Sequence, residues 1–190
     1  THNSIAPKIY GLPKTHKEGL PLRPIVSCVK APAYFLAQFL AGILNMVRDD
    51  TTNIRSSEKL PEQLSNIKLE NTDTLTSFDV IALFPSIPPD MAINAVIRKW
   101  NDIKLHTPIK KEKFVELITF CLKNSYCQYN GRFYKQKNGL AMGNPLSAII
   151  AEFVMDQIFE ELTQNFPDGI KFMTKYVDDS FFCNSGPVLY

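Results

Sequence analysis

Ser77-Phe78-Asp79-Val80-Ile81-Ala82-Leu83-Phe84-Pro85-Ser86-Ile87-Pro88 and, further on, Tyr176-Val177-Asp178-Asp179 are the two stretches on which the reading of this chain turns. Thr74 to Val80 is rich in β-branched and aromatic residues and reads as a strand. Pro85, Pro88 and Pro89 end it before a helix that runs to Trp100. Phe172 to Tyr176 and Ser180 to Cys183 read as two short strands joined by a tight turn at Val177-Asp178-Asp179. Three carboxylates therefore fall at strand ends among apolar neighbours, where burial without a partner is costly. Acids at the end of one strand that face acids from an adjacent strand are donors for Mg²⁺, a hard cation that takes a few carboxylates together with phosphate oxygens. Two such ions drive phosphoryl or nucleotidyl transfer, one lowering the pKa of the attacking hydroxyl and the other steadying the leaving group. The bland alternative is an ordinary hairpin turn at Asp178-Asp179 and a strand-end cap at Asp79.

Outward from these stretches the pattern alternates. Leu22 to Val29 reads as a strand, and Pro32 suits the first turn of a helix to about Val47. That helix is expected to be heavily buried, with Phe35, Leu36, Phe39, Leu40, Ile43, Leu44 and Val47 on one wide face. A shorter helix is expected after Ser57 and another over Lys111 to Asn124. Asn130-Gly131 between the aromatic-rich arms of Tyr126 to Gln136 is the strongest hairpin signal in the chain. A long helix from Pro145 carries Leu146, Ile149, Ile150, Phe153, Val154, Ile158 and Leu162 on its apolar side.

The chain has 190 residues, 45% of them apolar, and a mean hydropathy of −0.10, which fits one core and excludes a disordered or low-complexity protein. Its longest apolar run, Ala31 to Leu44, contains Gln38 and falls short of the roughly 20 residues that cross a bilayer. Thr1 to Lys17 lacks the apolar core of a signal peptide. Cys28, Cys121, Cys127 and Cys183 show no C-x-x-C spacing, so they read as inert thiols in a reducing compartment rather than as zinc ligands. The net charge of +2 hides alternating blocks: +4 over residues 1–30, −4 over 31–97, +7 over 98–137 and −5 over 138–190. Basic segments beside acidic ones suit a protein that holds phosphates with Lys and Arg and gathers carboxylates around divalent cations; solvated helix faces would give the same pattern.

The motifs make the reading specific. The stretch from Ser77 to Pro88 resembles motif A of reverse transcriptases, Gly139-Leu140-Ala141-Met142-Gly143-Asn144-Pro145-Leu146-Ser147 resembles motif B, and Tyr176-Val177-Asp178-Asp179 resembles motif C, in the family's order. The wording is most similar to Penelope-like retroelement polymerases, relatives of telomerase, which carry stretches like Tyr10-Gly11-Leu12-Pro13-Lys14-Thr15-His16-Lys17 and Leu22-Arg23-Pro24-Ile25-Val26. The resemblance covers about residues 7–183. It implies an α/β (α+β) fold with the fingers and palm of a right-hand polymerase, the palm sheet packed on helices and the chain truncated before the thumb. Residues 1–70 would be fingers, 71–100 and 139–190 palm, and 101–138 an insertion bearing the hairpin.

The resemblance also implies roles. Asp79 and Asp178 become the principal ligands of two Mg²⁺ ions, or of Mn²⁺ in their place, with Asp179 as third carboxylate. Phe84 takes the position of the gate against a 2′-hydroxyl. Arg23 and one of Lys14 or Lys17 match the strands that hold a triphosphate, and Gly139 and Gly143 flank a loop whose backbone approaches template base and nucleotide. Tyr176 opens motif C beside the substrate. Asn144 stands where serine is expected, and Asn138 where many relatives have glutamine. Tyr126, Tyr129, Phe133 and Tyr134, interleaved with Arg132, Lys135 and Lys137, could support a nucleic-acid strand by stacking, or could simply be core. The implied partners are an RNA or DNA template with a DNA primer and deoxynucleoside triphosphates, with no membrane, inside the cell and in the nucleus. Two other readings stay open: a catalytically inactive nucleic-acid-binding remnant, and an unrelated Mg²⁺-dependent nuclease or phosphotransferase.

Overall fold

In the computed structural model, residues 4–15, 17–49, 51–54, 56 and 58–186 are described. His16, Ser57 and the tail residues 187–190 lie outside them. The chain divides into two compact units, Thr1–Arg48 with Phe84–Val154, and Asp49–Leu83 with Met155–Tyr190.

The first unit is built on a four-stranded sheet of order β2-β1-β4-β5. Strands β1 (Lys8–Pro13) and β2 (Leu22–Ser27) are antiparallel, and β4 (Tyr126–Tyr129) and β5 (Arg132–Lys135) form the hairpin expected at Asn130-Gly131. Both tip residues take positive φ, 47° and 75°, which Asn and Gly tolerate and a type I′ turn requires. Strand β1 was not expected from the sequence. It runs parallel to β4, with Lys8 opposite Gln128.

Helix α1 (Tyr34–Asn45) buries Ala37, Leu40, Ala41, Ile43 and Leu44. Phe35 and Phe39, expected in the core, stay more than half exposed. Alanines 37 and 41 take the inward positions, so the buried stripe lies to one side of the phenylalanines. Helices α4 (Pro89–Arg98), α5 (Trp100–Ile103) and α6 (Lys111–Lys123) also belong to this unit. Phe114 and Ile118 of α6 are fully buried, each burial worth about 1.5–3 kcal/mol. All four cysteines are free thiols, and burial pushes Cys121 up to about 11.

The second unit holds a three-stranded antiparallel sheet of order β3-β7-β6, made of β3 (Thr74–Asp79), β6 (Ile170–Tyr176) and β7 (Asp179–Asn184), together with α2 (Lys59–Ser65). Helix α7 (Pro145–Asn165) gives its first half to one unit and its second half to the other. In the second unit Phe159 of α7 packs on Phe182 of β7, ring centroids 5.4 Å apart, and Phe182 meets Phe78 of β3 edge to face at 5.6 Å. Lys171 bonds Asp73 at 2.8 Å and holds its carboxyl below the usual range. Among the described residues no helix is long and apolar enough to cross a membrane.

Candidate active site

The acids of the two opening stretches meet on the three-stranded sheet. Asp79 ends β3 directly opposite Asp179, which starts β7, and Asp179 is in turn opposite Tyr176, the last residue of β6. Residues opposed across antiparallel strands share a face, at Cα separations of about 4.5–5.5 Å. Asp79, Asp179 and Tyr176 therefore make one row. The adjacent row of Phe78, Ser180 and Lys175 points the other way, to the side on which Phe159 of α7 packs. This explains why apolar strands can end in carboxylates: the helix covers one face of the sheet, and the acids stand on the other.

Asp178 sits at the tip, in the two-residue loop between Tyr176 and Asp179, and its carbonyl accepts a 3.0 Å hydrogen bond from the Val80 amide. That bond ties the segment after Asp79 to the hairpin tip. The other tip residue, Val177, takes φ of 57° and is half exposed. A positive φ on a β-branched residue is a true outlier, costing roughly 1–2 kcal/mol. Glycine usually occupies this position when only the first tip residue has positive φ.

Among the described residues, no donor takes up the carboxylates of Asp79, Asp178 or Asp179, and no three acidic, histidine or cysteine side chains already converge as a metal cage. Three unengaged hard oxygen donors at one end of the sheet are nevertheless the right chemistry for Mg²⁺ or Mn²⁺, with coordination completed by phosphate oxygens and water.

The remaining candidate residues belong to the first unit. Arg23 is exposed on β2 opposite Leu12. Lys14 is half-buried and Lys17 exposed in the loop joining β1 to β2, where the Lys17 amide bonds the Lys14 carbonyl at 3.0 Å. Phe84 lies in the short helix α3 (Leu83–Ser86) and is only partly buried, the core positions around it being Leu83 and Ile87. Its carbonyl accepts the Leu140 amide at 2.7 Å.

Gly139 and Gly143 both have positive φ, and a Cβ on either would strike backbone: Pro85 Cα at 2.6 Å for Gly139, the Val26 carbonyl oxygen at 2.1 Å for Gly143. The space left by each missing side chain is thus taken by the chain's own main chain. Asn144, where serine was expected, caps α7: its Oδ1 accepts the Leu146 amide at 3.0 Å, with Pro145 at the first helical position. Asparagine and serine are nearly equivalent as caps, which accounts for the exchange. The hairpin aromatics divide: Phe133 is 66% exposed and Tyr129 56%, while Tyr126 is half-buried 6.3 Å from Phe133.

A profile of the family described as "Reverse transcriptase (RNA-dependent DNA polymerase)" matches residues 15–188. The chain belongs to the reverse transcriptase family. Among solved structures, this reverse transcriptase chain is similar in fold to apo telomerase from Candida tropicalis truncated from its C-terminal domain, with a TM-score of 0.67 at 15% identity over 95% of this chain and 44% of that one. It is also similar to telomerase from Candida albicans in complex with a TWJ fragment of telomeric RNA, with a TM-score of 0.70 at 12% identity over 96% of this chain and 38% of that one. The chain thus spans less than half the length of either telomerase. The search of curated proteins gave no match.

The α/β fold expected from the motifs is the one observed, and its likeness to telomerase extends over nearly the whole chain. One feature beside this row of acids was missed in the sequence. Lys175, immediately before Tyr176, is buried, and its ammonium contacts Asp156 at 2.6 Å and Asn53 at 2.5 Å. A lone lysine in the alternating strand Phe172 to Tyr176 was the available signal.

Proposed function

We propose that this chain is the catalytic part of an RNA-directed DNA polymerase of a Penelope-like retroelement, adding deoxynucleotides to a primer 3′-hydroxyl on an RNA or DNA template. The observation that carries this reading is the row formed by Asp79 and Asp179, with Asp178 on the adjoining tip, in a member of the reverse transcriptase family. Asp79 and Asp178 are the principal carboxylates for two Mg²⁺ ions, and Asp179 is the third. When bound, Mg²⁺, or Mn²⁺ in its place, lowers the pKa of the primer hydroxyl and steadies the departing pyrophosphate.

The chain's own residues bind and orient. Arg23 offers a planar fork to the triphosphate oxygens and Lys14 or Lys17 a mobile point charge. Phe84, partly exposed rather than sealed in a core, obstructs a ribose 2′-hydroxyl. Gly139 lets its loop lie directly against the Pro85 backbone and so fixes the loop's course, and Tyr176 stands in the row with the acids. Phe133 and Tyr129, flanked by Arg132, Lys135 and Lys137, support a nucleic-acid strand by stacking and phosphate contact. In this reading residues 1–70 act as fingers, 71–100 and 139–190 as palm, and 101–138 as the insertion, and the enzyme works inside the cell, in the nucleus.

In the full-length polymerase, Asp79→Ala or Asp178→Ala abolishes primer extension while template affinity at fixed salt stays within about twofold, because phosphate contacts by Lys and Arg dominate that affinity. Appreciable extension by either variant would exclude that residue as an essential ligand. Phe84→Ala raises the ratio of ribo- to deoxynucleotide incorporation until at most about a hundredfold discrimination remains, since a pocket that merely lacks a partner for an added hydroxyl rejects it only about that strongly. An unchanged ratio with a lowered melting temperature would return Phe84 to a packing role.

A further inference from the structure

Lys175 carries a charge where the fold alone would be served by methionine. Its side chain is 1% exposed and that of Asp156 is 4% exposed. Removing two charges from water carries a penalty that mutual attraction only partly offsets, so well-packed apolar replacements for a buried pair are often as stable or more so. Stability therefore does not account for the pair, and its connections indicate what does.

The Lys175 ammonium donates to Asp156 of α7 and to Asn53, and stands 5.7 Å from the centre of the Phe159 ring. The Lys175 amide donates to the Thr52 carbonyl at 2.9 Å, its carbonyl accepts the Ile54 amide at 2.9 Å, and the Thr174 hydroxyl also donates to the Thr52 carbonyl at 3.0 Å. Asn53 pairs with Lys175 as an isolated parallel bridge. One residue is thus fixed to the helix behind the sheet, to the segment beside it and, through Ser180, to the neighbouring strand. Tyr176, the strained Val177 and Asp178 follow it directly. A costly backbone conformation persists only where its surroundings over-determine it, and Lys175 is where that determination enters the hairpin.

We propose that Lys175, with Asp156 and Asn53, is a positioning device: a buried ionic clamp that fixes the last residue before the hairpin and so sets the placement of the Asp178 and Asp179 carboxylates. The catalytic consequence rests on the polymerase reading; the placement itself does not. Lys175→Met alone strands the Asp156 carboxylate in the interior and destabilises the unit, so the test variant is the charge-free pair Lys175→Met with Asp156→Leu.

Hydrogen exchange on this chain provides the first readout, at the Val80 amide, which bonds the Asp178 carbonyl, and at the amides of 177–179. These exchange about tenfold or more faster in the double variant, beyond any small rise at mid-sheet amides such as Thr76 that follows from leaving Asn53 without its partners. Unchanged exchange at the tip, or a rise shared equally by the whole sheet, would overturn the proposal.

The second readout uses the full-length polymerase. There kcat falls about tenfold or more with the deoxynucleotide KM within about twofold, as expected when reacting groups are slightly misplaced. Wild-type rates in a stable double variant would overturn the clamp. Failure of the wild-type enzyme to extend any primer would sink the polymerase reading instead, and the exchange experiment would still decide the clamp.

Discussion

Among the described residues two hairpins are closed by two-residue loops, and they are made in opposite ways. At Asn130-Gly131 the backbone has positive φ at both tip residues, and the sequence supplies two residues that accept it without strain. At Val177-Asp178 positive φ falls on a β-branched residue that resists it, and the other tip residue is an acid. The first loop is what selection for folding alone produces. The second holds a costly conformation in place beside the row of Asp79 and Asp179: strain that the fold does not need marks the loop whose shape something else requires.

Exchanging the tips would test the contrast most severely. Val177→Asn combined with Asp178→Gly gives the second hairpin the first one's loop. In the full-length polymerase this variant should be inert in extension, whereas thermal melting of the chain should hold or rise by up to a few degrees, since roughly 1–2 kcal/mol of strain is released against the roughly 0.5–1 kcal/mol that glycine costs at position 178. A fall in melting temperature would mean that Val177 is not strained in the folded protein.

The converse change, Gly131→Val, should cost about 1–2 kcal/mol in denaturant unfolding, because a β-branched residue is forced to φ of 75° with no ionic clamp behind it. Val177→Gly is the mildest. Relief of strain is offset by the 0.5–1 kcal/mol that glycine's backbone freedom costs, so stability should change by less than about 1 kcal/mol. Extension should slow as the tip loosens, and an unaltered rate would leave the strain without a purpose.

Much of this contrast was legible beforehand. Asn-Gly announces its own turn, and the acids between apolar strands announced an anomaly that propensity could not absorb. Local pattern also gave β3 and α6 to within a residue, and the start of α7. What it could not give was long-range. Strand β1, with Gly11 and Pro13 in it, reads as turn-rich; it pairs along its length with β2, and Lys8 alone joins it to β4 more than a hundred residues later. The clamp was hidden for the same reason, since Lys175 finds Asp156 at a separation of 19 residues and Asn53 at 122. Phe35 and Phe39 show the limit of periodicity: it locates an apolar face on α1, and the small alanines, not the largest side chains, decide how close the neighbours come.

The contact between Gly143 and Val26 has a consequence for how the chain behaves in a crowd. Strand β2 is an outer strand of its sheet, and an outer strand invites another polypeptide to add itself. Here the Val26 amide is already bonded to the Met142 carbonyl at 2.8 Å, and Gly143 lies against the Val26 carbonyl, so no foreign strand can pair at that residue. Pro24 removes a further donor from the same strand, and Arg132 and Lys135 place like charges on β5 at the opposite border. A side chain at position 143 would push Met142 off and unseal that border, so the damage from such a substitution should show first as clumping during synthesis and refolding.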